Sequence, residues 1–107
     1  MKIYLDDWRE PPSSDYVVVR TVNELKEIVR RFGREIELLD LDNYLEEYSR
    51  FGGNGIDFVN WLEEAVYLGE VELNPNVKII SHSSDPFMRA KIEEVGRRIE
   101  AFLRSKR

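Results

Sequence analysis

The 107-residue chain has no cysteine and only one histidine. No disulfide or thiolate metal site can form, and a cysteine nucleophile, a histidine-pair phosphoesterase and a zinc hydrolase are excluded with them. The lack of cysteine suits a cytosolic protein. No run of about 18 apolar residues is present, so no membrane span is expected. The N-terminus lacks the basic and apolar regions of a signal peptide. There is also no Gly-rich P-loop with its lysine and no GxGxxG.

Hydrophobic residues make up 42% of the chain, which suffices for one core in a single domain over 1–107. Charged residues make up 35%, as in the ion-pair-rich surfaces of thermophiles. The net charge of −5 is unevenly spread: residues 1–85 hold 9 Lys/Arg against 18 Asp/Glu, and residues 86–107 hold 7 against 3. The basic end reads either as a solvated helix face or as a patch near an anionic ligand. The acidic body argues against general nucleic-acid binding.

Lys2 to Leu5 reads as a short strand ending at Asp6 and Asp7, and the proline-containing "REPPSSD" as a loop. Tyr16 to Val19 is a β-branched run, read as a buried strand. In "TVNELKEIVRRFG", Thr21 and Glu24 form a capping box, Val22, Leu25, Ile28, Val29 and Phe32 share a face, and Gly33 is a C-terminal cap. Glu35 to Leu39 reads as a third strand, followed by "DLDNY" and, over 43–53, a loop or short helical turn. "NGIDFVNWLEEAVYLG" is a second helix capped by Asn54, with Asp57 in its first turn and Gly69 at its end. Val77 to Ile80 is a fourth strand, and Asp85 and Pro86 open the last helix, with Met88, Ile92, Val95, Ile99, Phe102 and Leu103 on its buried face. This alternation implies a three-layer α/β fold: a mostly parallel four-stranded sheet with three main helices on its two faces. Only about nine residues link the first two strands, short for a helical crossover, so an antiparallel first pair stays open.

Ligands of open α/β sheets bind beyond the carboxyl ends of the strands. Three strands end there in polar clusters: Asp6 and Asp7; Asp40 and Asp42; and His82, Ser83 and Ser84. Carboxylates that converge must protonate or take up a cation, and an oxygen-only set favours Mg²⁺, Mn²⁺ or Ca²⁺. Mg²⁺ retains open positions for phosphate oxygens. Each group also has a plainer reading. The aspartates serve as turn residues, His82 as a satisfied structural histidine, Ser83 and Ser84 as helix caps, and Arg9 as a surface ion-pair partner rather than a phosphate clamp. Trp8 covers the site or packs the loop, and Trp61, Phe58 and Leu62 are core.

Four segments resemble the cyclic-phosphate processing receiver-like domains, a divergent branch of the response-regulator receiver fold. "IYLDDWREPP" resembles that family's LDDxRxxP, "LLDLDN" its LDHDLG, "NGIDFVNWLEE" its TGYDVLxWLEE and "IISHSSDPFMRAKI" its HSxNPxGxxxM. The resemblance spans nearly the whole chain and implies a truncated receiver (flavodoxin-like) topology. It implies that Asp6, Asp7, Arg9, Asp40, Asp42 and His82 line the site, with Asp6 and Asp7 as the Mg²⁺-binding pair and Asp40 as the acceptor. Leu41 stands where the family has a histidine, Asp85 where it has asparagine and Met88 where it has glycine. The fifth strand and lysine of ordinary receivers are not found.

The leading expectation is therefore a metal-dependent phosphoesterase acting on a cyclic phosphate of a nucleotide or RNA end. Asp6, Asp7 and Asp40 would hold Mg²⁺ or Mn²⁺. Asp40 or Asp42 would act as nucleophile, base or ligand, His82 as acid, and Arg9, Ser83 and Ser84 as phosphate binders. The alternatives are a receiver-like module that takes up phosphate on Asp40 or binds a phosphorylated ligand, and a binding protein that has lost catalysis.

Overall fold

The computed structural model describes residues 1–106. In chain order these form β1 (Lys2–Leu5), β2 (Tyr16–Val19), α1 (Val22–Phe32), β3 (Leu38–Leu41), α2 (Gly55–Tyr67), β4 (Lys78–Ser81) and α3 (Pro86–Ser105). The helix starts follow the capping chemistry in the sequence. Thr21 Oγ1 accepts the Glu24 N–H at 3.1 Å, and its hydroxyl donates to the Glu24 carboxylate at 2.9 Å. Asp57 accepts the Asn54 N–H at 2.8 Å ahead of α2. Asp85 Oδ1 accepts from Phe87 and Met88 ahead of α3, with Pro86 at the first helical position.

Several boundaries differ from the sequence reading. β3 is Leu38–Leu41 rather than Glu35 to Leu39, because Gly33–Glu35 adds a 3-10 turn to α1 and the Ile36 N–H bonds back to Gly33. β4 begins at Lys78 rather than Val77, whose N–H bonds the turn carbonyl of Asn74 at 3.0 Å. Gly33 is the C-terminal cap of α1 as expected, but in the right-handed region, with φ −50°. It is glycine because a Cβ there would meet the Glu72 carbonyl oxygen at 2.2 Å. Phe32, expected on the buried face of α1, is exposed. The stretch after β3 contains a 3-10 turn at Glu46–Arg50.

All strand pairs are parallel, in the order β2-β1-β3-β4. The antiparallel alternative for β1 and β2 is thus set aside. β2 is an edge strand with Val17 exposed, not a buried one. Ile3, Leu5, Val19, Leu39, Leu41 and Ile79 point to one face and are buried. The connections β2–α1–β3 and β3–α2–β4 advance in the same direction across the sheet, and right-handed crossovers then put both helices on that face. α2 packs on α1 and on α3, and Gly96 of α3 lies against Ile79. The three helices thus lie on one face of the sheet rather than on both, as the alternation implied, and the three layers are helices, sheet and strap. On the far side, the strap 6–15 takes the place of a crossover helix, tied down by the Lys2–Asp15 ion pair at 3.1 Å. The receiver-like α/β order is completed over β1 and β2 by this strap.

Candidate functional site

The site lies on the strap side of the sheet. The parallel register sets Tyr4 beside Asp40 and Asp40 beside Ile80. With a period of two, Tyr4, Asp6, Asp40, Asp42 and His82 then share the face away from the helices. Leu41 points the other way and is wholly buried in the helix-covered core. Gly55 lets α2 start directly against this corner: a Cβ there would lie 1.9 Å from the Asp42 carbonyl oxygen.

Asp6 is fully buried, and both its oxygens are engaged. Oδ1 accepts the backbone N–H groups of Trp8 at 3.0 Å and Arg9 at 2.8 Å, closing the turn that leaves β1. Oδ2 lies 2.8 Å from His82 Nε2 and 3.0 Å from Arg9 Nε. The latter contact is ionic, since the Arg9 Nε–H makes no aligned hydrogen bond. Arg9 Nη2 reaches Asp42 Oδ1 at 3.3 Å, and that oxygen also accepts the Asn43 N–H at 2.8 Å. On its other side, His82 Nδ1 meets Asp40 Oδ1 at 2.7 Å. The Tyr4 ring stacks on the imidazole, with centroids 4.1 Å apart and planes 5° from parallel. Arg20 Nη1 holds the turn from outside by donating to the carbonyls of Asp6 and Arg9, both at 3.1 Å.

His82 thus faces a carboxylate oxygen at each ring nitrogen. Only the imidazolium donates to both. Burial lowers its pKa, but the hydrogen bonds to Asp40 and Asp6 outweigh this and hold it above the ordinary value. For Asp6, burial pushes the pKa up, but the Trp8 and Arg9 N–H groups, with His82 and Arg9, bring it below the usual carboxylate range. Burial dominates at Asp42 and Asp7 and raises both, with Asp6 adding to each shift and Glu46 to that of Asp7. Three carboxylates, Asp6, Asp40 and Asp42, are therefore matched largely by two cations of the chain itself, Arg9 and His82.

Beside this network opens a pocket of about 500 Å³ lined by Asp7, Trp8, Arg9, Asp42, Tyr44, Glu46, Ser49, Asn54, Ser83 and Ser84. The residues expected at the site divide between network and pocket. Asp6, Asp40 and His82 lie behind, whereas Asp7, Arg9, Asp42, Ser83 and Ser84 face the opening. The Ser83 hydroxyl accepts the Asp85 N–H at 3.2 Å. Asp85 fills the first turn of α3, so this helix start offers a phosphate less than its position suggests. Sequence reasoning missed Tyr4, Tyr44 and Glu46. Glu46 is the one non-glycine residue with positive φ among the described residues, at 48°. Such strain often marks a functional position.

Asp6, Asp42 and His82 bring three potential metal-ligating atoms within 4.8 Å of one another. An imidazolium has no lone pair to give a metal, and both Asp6 oxygens already have donors. On the pocket side, Asp7, Asp42 and Glu46 line the opening beside Arg9.

Among the described residues no helix is long and apolar enough to cross a membrane. Comparison with curated proteins and with solved structures gave no match in either case. The model of the cyclic-phosphate processing receiver domain matches residues 1–98. With strap, sheet and acidic corner all inside that span, the chain belongs to the cyclic-phosphate processing receiver domain family.

Proposed function

We propose that the pocket hydrolyses a cyclic phosphate ester, such as the cyclic end of a nucleotide or RNA. The observation that carries this reading is the locked network of Asp6, Arg9, Asp40, Asp42 and His82, which presents one guanidinium and one carboxylate to a pocket. Arg9 binds the phosphate oxygens and is kept from swinging by Asp6 and Asp42. Water adds to phosphorus, one ester P–O bond breaks, the water proton passes to Asp42, and the departing ester oxygen takes a proton from solvent at the open pocket and leaves as a hydroxyl. The burial-raised pKa of Asp42 makes it a stronger base than a solvated carboxylate. Asp40 is bonded to His82 inside β3 and away from the pocket, which favours Asp42 over it as the reacting carboxylate. His82 acts as a fixed positive charge that holds Asp6 and Asp40 in place.

A divalent cation, Mg²⁺ or Mn²⁺, would be held by Asp7 and Glu46, relieving the repulsion that helps raise Asp7. When bound it would supply polarisation of a phosphate oxygen.

Purified chain is incubated with adenosine 2′,3′-cyclic phosphate and Mg²⁺ or Mn²⁺, and the product is followed by phosphorus NMR. Hydrolysis is expected, with Asp42→Asn and Arg9→Ala each reducing kcat/KM about a hundredfold. No product with either metal overturns the reading. Turnover that survives chelation of metals overturns the cation's part alone.

A further inference from the structure

Trp8 and Tyr44 are among the most exposed aromatic side chains, at 69% and 57%, and both line the pocket that holds Arg9 and Asp42. Two large rings left in water at one pocket mouth call for an explanation that isolated surface aromatics do not. Neither sits on a loose segment. The Trp8 N–H is tied to Asp6 Oδ1, and the Arg9 guanidinium lies 5.7 Å from the Trp8 ring. Tyr44 follows Asn43, whose N–H bonds Asp42 Oδ1, whose carbonyl accepts the Gly55 N–H at 2.9 Å, and whose side chain accepts the Ile56 N–H at 3.1 Å. The residues that position the phosphate ligands therefore also position the two rings.

We propose that Trp8 and Tyr44 form a base-stacking rim, so that the substrate is a nucleoside whose own ribose carries the cyclic phosphate. The proposal rests on the hydrolysis reading for the phosphate end and adds the recognition of the base. A planar base presents a π-face that an exposed ring accepts with little regard to sequence. The pocket, at about 500 Å³, is larger than a bare cyclic phosphate needs and falls within the range that encloses a small organic ligand. Asn54 and Ser49 add polar groups to its wall. The terminal nucleoside could belong to a free nucleotide or to an oligonucleotide end.

Steady-state kinetics on the full chain compare three probes: adenosine 2′,3′-cyclic phosphate, a short oligoribonucleotide ending in the same group, and base-free glycerol 1,2-cyclic phosphate. The expected result is a kcat/KM at least tenfold higher for the nucleoside than for the base-free ester, carried by KM. Trp8→Ala and Tyr44→Ala should each shrink that ratio by about tenfold, at the low end of what one stacked base contributes. Equal use of the two esters, or a loss in the variants that is the same for both, overturns the rim while leaving the hydrolysis intact. The oligonucleotide separates the two sources: a kcat/KM matching the free nucleotide assigns both to the rim, and a tenfold lower value restricts it to free nucleotides. If none of the esters is hydrolysed, the hydrolysis reading fails and binding still decides the rim. Adenosine 3′-monophosphate should quench the tryptophan fluorescence of the native chain and not of Trp8→Phe, and no quench overturns the proposal.

Discussion

Asp6 is the residue on which the site turns. Its two oxygens serve the backbone N–H groups of Trp8 and Arg9, the imidazole of His82 and the guanidinium of Arg9. Asp6→Ala leaves these donors unpaired and two cations short of a counter-charge. It should cost about 3 kcal/mol, measured by urea unfolding, because breaking a buried charged network is far more costly than losing one exposed pair. Asp6→Asn keeps the acceptor for the turn and should cost visibly less. Arg9→Ala, from a third-exposed side chain, should cost about 1 kcal/mol after solvent screening is allowed for. A loss under 1 kcal/mol for Asp6→Ala would mean that the turn and the ion pairs are not coupled as described. Much of this site was legible in the residues: Asp6, Arg9, Asp40, Asp42 and His82 do converge. What the sequence hid was the division of labour. Crowded carboxylates implied a cation, and two of the cations turned out to be side chains, Arg9 and His82. Tyr4 was hidden for a different reason. Its stacking on His82 follows only from the register that sets β1 beside β3 and β3 beside β4.

At the scale of elements, local chemistry was the readable part. Caps at Thr21, Asn54 and Asp85 start the helices as expected, whereas β3 slips because a 3-10 turn competes with the strand for Glu35. That the sheet stops at four strands was readable, but how its last edge is closed was not. β4 is an edge strand, and its inward N–H groups at Lys78 and His82 bond to Glu37 and Leu41. Its outward N–H groups, at Ile79 and Ser81, donate to the carboxylates of Glu100 and Glu93 on α3, both at 3.0 Å. Two carboxylates seven residues apart on one helix thus occupy the line along which a fifth strand would pair, and this helix closes the edge instead. Glu93→Ala and Glu100→Ala should each destabilise the chain by about 1–2 kcal/mol through an unpaired N–H. The double variant should also exchange its Ile79 and Ser81 amides faster and self-associate, as seen by light scattering. A double variant as stable and monodisperse as the parent chain would show that the edge does not need these carboxylates.

For the molecule as a whole, β1, β3 and β4 are joined twice, once by the core on the helix side and once by the charged network on the strap side. Stability should therefore follow the protonation of that network. Asp6, with its pKa lowered in the fold, contributes stability that is present above its unfolded value near 3.8 and lost as pH falls through its folded value. Asp42 and Asp7 are raised, so the unfolded chain ionises them first, and stability falls as pH climbs from about 3.8 through their folded values. His82 is raised as well, so its contribution is complete below about 6.5 and is lost as pH rises through its folded value. The losses above 3.8 and above 6.5 point the same way and place the optimum on the acid side of neutral, unlike a protein stabilised mainly by salt-bridged carboxylates. Urea unfolding at pH 5, 7 and 9 should show a stepwise decline. His82→Gln should lower stability at pH 5 and remove the decline above pH 6.5, since an amide has no proton to lose. A parent chain that becomes more stable between pH 6 and 8, or a His82→Gln chain that keeps the alkaline decline, would mean that the imidazolium between Asp6 and Asp40 does not govern the fold's response to pH.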